Sequence, residues 1–114
     1  MKKSDTGILD GITMQYTYEE MGTVRVSYSS GCIGFAWLEG PIAGESGDGF
    51  AYRARKVGND QFFVSWHEPE MPGFVALHID FDTGKVCSSV LAAYGTESEQ
   101  IHFDIATINQ VEGR

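Results

Sequence analysis

The densest set of chemically useful side chains lies between Gln61 and Glu70, QFFVSWHEPE. Period-two alternation puts Phe62, Val64, Trp66 and Glu68 on one face of a strand, with Phe63, Ser65 and His67 on the other. A carboxylate that ends an apolar, aromatic face either reaches solvent at a sheet edge or projects into an enclosed space, where burial raises its proton affinity. In the second case Glu68 can serve as a general acid or base, or can hold the polar end of a ligand.

Tyr16 and Tyr18, in MQYTYEE, lie two apart and face the same way. Turned inward beside Trp66 and Glu68, they would give a cavity two phenols, an indole and a carboxyl, a set that binds a flat organic molecule and orients it through a few polar contacts. The other reading is that the tyrosines simply fill the interior, with their hydroxyls at the rim. His78 with Asp80, and His102 with Asp104, repeat an HxD pattern, and each pair shares a face. With His67 they lack the tight clustering of a metal centre, so the pairs are expected to form cross-strand hydrogen bonds on a solvated face, and no metal is expected. Arg53 and Arg55, in AYRARKV, make a solubilising stripe if they face outward and an anion site if they face inward. No Ser-His-Asp spacing or phosphate-cradling loop occurs, and GESGDG does not fit a dinucleotide fingerprint, so no cofactor is expected.

These groups need a scaffold, and 114 residues suffice for one domain with its own core. Fourteen glycines against three prolines suit many tight turns between short strands. Sixteen acids and eight bases leave a formal charge of -8, which disfavours nucleic acid and anionic membranes as partners. Cys32 and Cys87 sit in no CxxC pattern and are expected to be reduced and buried. The N-terminus has no apolar leader region, no stretch approaches a membrane span, and a cytoplasmic location is expected.

Residues 1–11 are polar and are expected to be a flexible lead-in to a domain over 12–114. Eight segments follow with period-two or continuous apolar character, at about 12–20, 23–30, 32–38, 50–57, 61–68, 73–81, 85–94 and 100–111, and none shows a helical period. Glycine, Asn and Asp at the junctions make tight turns, so consecutive strands pair antiparallel. Eight such strands have two exposed edges unless the sheet closes, and the expected fold is therefore all-β, a single up-and-down barrel with little or no helix. The long connection Glu39 to Gly49, EGPIAGESGDG, is either a lid at the barrel mouth or a slack surface loop.

The elements YTYEE, GPIAGE and FFVSWHEP, in that order, resemble the phenolic acid decarboxylases, whose calycin-like (lipocalin-like) barrels carry a YTY pair, a GMVAGR segment and a VSWTEP strand. From AYRAR through FFVSWHEPEMPGFVALHIDFDTGKV to the last strand, the chain looks more like the C-terminal domain of the MoaF-like proteins. The resemblance spans about Gln15 to Val111 and implies a calycin-like barrel. It places the decarboxylase tyrosines at Tyr16 and Tyr18 and the catalytic glutamate at Glu68, while the arginine that holds the substrate carboxylate falls on Glu45. Two like charges ~4 Å apart in a partly shielded site repel by several kcal/mol, so Glu45 argues against binding a phenolic acid anion unless Arg25 or Arg53 compensates.

The leading expectation is a barrel that binds a small neutral or cationic, partly aromatic molecule through Tyr16, Tyr18, Arg25, Glu45, Trp66 and Glu68. The alternatives are a decarboxylase or lyase with Glu68 as general acid or base, and a non-catalytic interaction module. The apolar outer residue Phe63 adds the expectation of a homodimer.

Overall fold

The computed structural model describes residues 7–114. Eight strands follow one another: β1 (Thr13–Tyr18), β2 (Gly22–Ser29), β3 (Cys32–Trp37), β4 (Ser46–Gly58), β5 (Gln61–Glu68), β6 (Gly73–Asp80), β7 (Lys85–Ala92) and β8 (Gln100–Glu112). Each pairs antiparallel with the next, and β8 returns to β1 with Tyr18 opposite Ala106, closing an up-and-down barrel in sequence order. The described residues contain no helix, and hence none long and apolar enough to cross a membrane.

Alternation builds the interior. Met14, Tyr16 and Tyr18 of β1, Val24, Val26 and Tyr28 of β2, and Val75, Leu77 and Ile79 of β6 are all buried, while the residues between them face outward or are only partly covered. One end of the barrel is packed solid by Met14, Tyr28, Ile33, Tyr52 and Val86, among others. Residues 7–11, expected as part of the loose lead-in, contribute to this packing: Leu9 is 1% exposed, and Gly11 N–H donates to the Tyr28 carbonyl at 2.8 Å. Residues 1–6 of that lead-in lie outside the described residues.

Three local differences from the sequence reading have physical causes. β4 begins at Ser46, not near residue 50, so the long connection shrinks to residues 38–45. Gly47 and Gly49, which look like loop residues, are strand residues. The stacked rings of Phe35 and Phe50 lie over Gly47, where a Cβ would meet them at 3.0–3.2 Å. Gly49 takes φ 79° where the β3–β4 ladder skips a residue between the Ile33–Phe50 and Phe35–Gly47 pairs, a bulge that glycine permits. In β8 the amphipathicity is inverted: Ile101, Phe103 and Ile105 face outward, and His102 and Asp104 face the interior. The cysteines, expected to be buried, are both free, with Cys32 half-buried and Cys87 exposed on the outward side of β7.

A second bulge lies in the β1–β8 seam. Gln15 faces Gln110 but Tyr16 faces Ile108, so Asn109 is the extra residue, and Thr17 Oγ1 donates to its Oδ1 at 2.7 Å. Both Ile108 and Val111 thereby pack against the core although they are three residues apart.

Candidate functional site

The end of the barrel opposite the packed core holds a cavity of about 240 Å³. Its walls are β1 through β3 on one side and β5 through β8 on the other. Tyr16 and Tyr18 both turn inward, with their rings edge to face at 5.7 Å. Tyr18 also meets Trp37 of β3 at 6.1 Å in a tilted arrangement, so the aromatic wall continues across two strands. Burial drives the Tyr16 hydroxyl well above its ordinary pKa. It raises Tyr18 to about 12, where a hydrogen bond with Ser88 lowers the value and the nearby Asp104 carboxylate raises it. Both phenols are therefore neutral hydrogen-bonding groups at physiological pH.

Trp66 and Glu68 take their inward places because strict alternation continues from Val64 to the end of β5. Glu68 is only 8% exposed, and the indole Nε1–H of Trp66 donates to its Oε2 at 2.6 Å. Two neighbouring residues of one strand face thus fix each other, and the carboxylate is oriented before any ligand arrives. Its second oxygen has no side-chain donor among the described residues.

The mouth is bordered by the β1–β2 turn, residues 38–45, the β5–β6 turn and the β7–β8 loop. The segment 38–45 is a fixed rim, because its backbone touches the β1–β2 turn. A Cβ on Gly22 would lie 2.1 Å from the Glu39 carbonyl oxygen, and one on Gly40 would lie 2.3 Å from that of Met21. Both glycines have positive φ, at 86° and 105°. Thr23 fastens the contact: its N–H donates to the Glu39 carbonyl, its hydroxyl donates to Glu39 Oε1 at 2.8 Å, and its carbonyl accepts from Leu38 N–H. Held in this way, Met21, Ile42 and Glu45 overlook the cavity. The opposite lip is tied down as well. Tyr94 N–H donates to the Pro72 carbonyl, and the Tyr94 ring stacks on His67, with its hydroxyl hydrogen-bonded to the imidazole Nε2.

Of the residues picked from the sequence, Tyr16, Tyr18, Glu45, Trp66 and Glu68 line this cavity. Arg25 does not. It lies between the inward Val24 and Val26, is exposed on the outer wall, and donates to Gln15 Oε1 at 3.5 Å. Arg53, between the inward Tyr52 and Ala54, and Arg55, which follows Ala54, also sit at exposed positions. The expectation for the second HxD pair is corrected: His102 and Asp104 line the cavity and do not lie on a solvated face. His78 does lie outside, 3.1 Å from Gln61 Oε1. Reasoning from sequence also missed Trp37 and Ser88, and for Ser88 a signal existed, because it alternates with Val86 and Val90 in β7.

The cavity's chemistry is one-sided. Among the described residues its charged lining groups are the carboxylates Glu45, Glu68 and Asp104, and no Lys or Arg lines it. Among the described residues no three His, Cys, Asp or Glu side chains group as metal ligands.

No protein-family model matches the chain, and no curated protein matches it at a significant level. Among solved structures, the fold is similar to that of a Burkholderia vietnamiensis protein described as a "putative beta-lactamase", with a TM-score of 0.79 and 23% identity over 91% of this chain and 96% of that one. At that identity the likeness is one of fold. The class defined here is a closed eight-stranded antiparallel barrel, plugged at one end and hollow at the other.

Proposed function

We propose that this barrel is a binding protein for a small, partly aromatic molecule that is neutral or cationic, held inside the open end. One observation carries the reading: an aromatic and aliphatic cavity of about 240 Å³ in which, among the described residues, every charged lining group is an acid. The volume falls below the ~300–1,000 Å³ of sites for drug-sized ligands, and so suits a single ring with a short substituent. Tyr18, Trp37 and Trp66 offer faces for stacking and for cation–π attraction, and Glu68 and Asp104 offer acceptors for an ammonium. An anionic ligand would face three carboxylates with no compensating Lys or Arg among the described lining residues. The resemblance of YTYEE and FFVSWHEP to the calycin-like MoaF-like and decarboxylase barrels supports a pocket at this end. Glu45, standing where the decarboxylases carry their arginine, argues against a phenolic acid as substrate.

The test compares matched aromatic amines and aromatic carboxylates by ligand-observed NMR and isothermal calorimetry. Amines are expected to bind and carboxylates are not. Glu68→Gln should weaken the amine by roughly 10- to 150-fold, the range for losing a charge-assisted hydrogen bond, while leaving a neutral ring compound nearly unaffected. Preferential binding of the carboxylates would overturn the proposal. Turnover of hydroxycinnamates that vanishes in Glu68→Gln would replace it with a lyase.

A further inference from the structure

The outer face of β5 to β8 is unlike the rest of the barrel surface. Register lines up Ser65, Ala76, Ser89 and Phe103 as a cross-strand row. Its first three members are small, and two of them, Ala76 and Ser89, floor a hollow beside Phe103, a residue that is 83% exposed. Phe63 and Ile105 stand on one side of that row, and Phe74 and Ile101 on the other, all exposed. Across β5 to β8, neither that row nor the rows on either side of it contain an Asp, Glu, Lys or Arg, in a chain of formal charge -8; the charged residues that continue two of these rows onto β4 are Arg53, beside Ser65, and Arg55, beside Phe63.

We propose that a second copy of this chain covers this face, forming a two-fold dimer in which Phe103 of each protomer enters the hollow over Ala76 and Ser89 of the other. Projection and hollow lie side by side on one patch, which is what an isologous interface requires, since each protomer must supply both halves. The five large apolar side chains expose on the order of 600 Å², judged from the 150–250 Å² that an aromatic residue can bury. That lies at the upper end of the ~300–600 Å² of the largest apolar patch on a typical monomer and approaches the ~800 Å² per partner of a standard interface. Charge selects the same face. Two copies of an acidic protein repel, and here they can meet without bringing carboxylates together. The same net charge disfavours an anionic membrane as occupant. Closure of the barrel leaves no strand edge, so association must go through the face.

The experiment is sedimentation equilibrium of the full chain from about 1 to about 100 µM, with Phe103→Ala and Phe103→Asp alongside. The wild type is expected to be dimeric at the upper end. Phe103→Ala should raise the dissociation constant by about 100-fold, as for loss of a central aromatic anchor, and Phe103→Asp should be monomeric throughout. Cys87, on the same outer face as the anchor, gives a second readout that does not depend on the variants: its alkylation rate should fall as wild-type concentration rises, while that of Cys32 should not. A monomeric wild type at 100 µM, a Phe103→Asp dimer as tight as wild type, a Cys87 rate independent of concentration, or a different protein held in place of the second copy would each overturn the proposal.

Discussion

Two tyrosines at the packed end of the barrel offer a sharp contrast, because their rings touch at 4.9 Å while their hydroxyls have opposite fates. The Tyr52 hydroxyl accepts from Leu9 N–H at 3.0 Å and donates to Asp10 Oδ1 at 2.7 Å. Tyr28, 1% exposed, carries a hydroxyl with no hydrogen-bond partner among the described residues. In Tyr52→Phe one neutral and one charge-assisted bond disappear and a buried N–H is left unpaired, so about 2–4 kcal/mol should be lost. Asp10 would survive the change, because it also accepts from Gly31 N–H at 3.0–3.1 Å. In Tyr28→Phe a desolvated hydroxyl is removed and the ring is kept, so stability should stay level or rise by up to about 1 kcal/mol. Urea unfolding followed by tryptophan fluorescence reads both. With a slope of ~2 kcal/mol per molar, Tyr52→Phe should move the midpoint down by roughly 1–2 M and Tyr28→Phe should leave it unchanged or raise it slightly. A Tyr28→Phe loss as large as that of Tyr52→Phe would refute the reasoning, since it would mean that the Tyr28 hydroxyl contributes a bond of full strength.

The same burial predicts an alkaline limit. Tyr18 is raised to about 12, and Tyr16, Tyr28 and Tyr52 are raised with desolvation as the leading cause, so the folded state favours their neutral forms. That contribution is complete below the unfolded-state value near 10 and is lost as pH rises through the folded-state values. Tyr18 alone should forfeit about 2–3 kcal/mol between pH 10 and 12. Absorbance of tyrosinate near 295 nm from these four should then rise together with loss of the near-ultraviolet dichroism, and their independent titration in a folded protein would contradict the burial argument. At the rim, Gly40→Ala should cost about 1–3 kcal/mol in the same urea assay, because a Cβ there meets the Met21 carbonyl and φ is 105°. Gly44→Ala is the control: φ is positive there too, but nothing lies within 4 Å of an added Cβ, so only the backbone strain remains. Equal losses would mean that the backbone contact beneath Gly40 contributes nothing.

The residues that could be read correctly from the sequence are those where period two and turn chemistry agree. β5, β6 and β7 fall within two residues of their expected bounds, because Asn59-Asp60, Pro72-Gly73 and Asp82-Thr83-Gly84 punctuate them. Glu68 and the tyrosine pair turned inward because each shares a face with residues that only a core can accommodate. Arg25 was legible too, as the residue between Val24 and Val26, and following the alternation would have put it outside. Elsewhere the rule of apolar inside and polar outside failed for a physical reason. In β8 the more apolar face, Ile101, Phe103 and Ile105, is the outer one, since the inner face at that level borders a cavity that takes polar groups. Only the continuation to Ala106 and Ile108, even-numbered like His102 and Asp104, reveals which way the strand faces. The first residues of β4, from Ser46, are not legible in the sequence because a glycine admitted for two phenyl rings and a glycine that makes a bulge carry the same letter as one in a flexible loop.

The bulge at Asn109 has a consequence for how the chain tolerates changes in length. In a regular stretch of barrel strand, losing one residue turns every following side chain over, exchanging interior for exterior. At Asn109 the reverse holds: the seam already carries one residue too many, and removing it would leave Ile108 and Val111 two apart, still on the inner side, with the ladder to β1 made regular. The loss would be confined to the Thr17–Asn109 hydrogen bond and the local bend. The closing seam of the cylinder is therefore a site where a single-residue deletion can pass without reversing either wall.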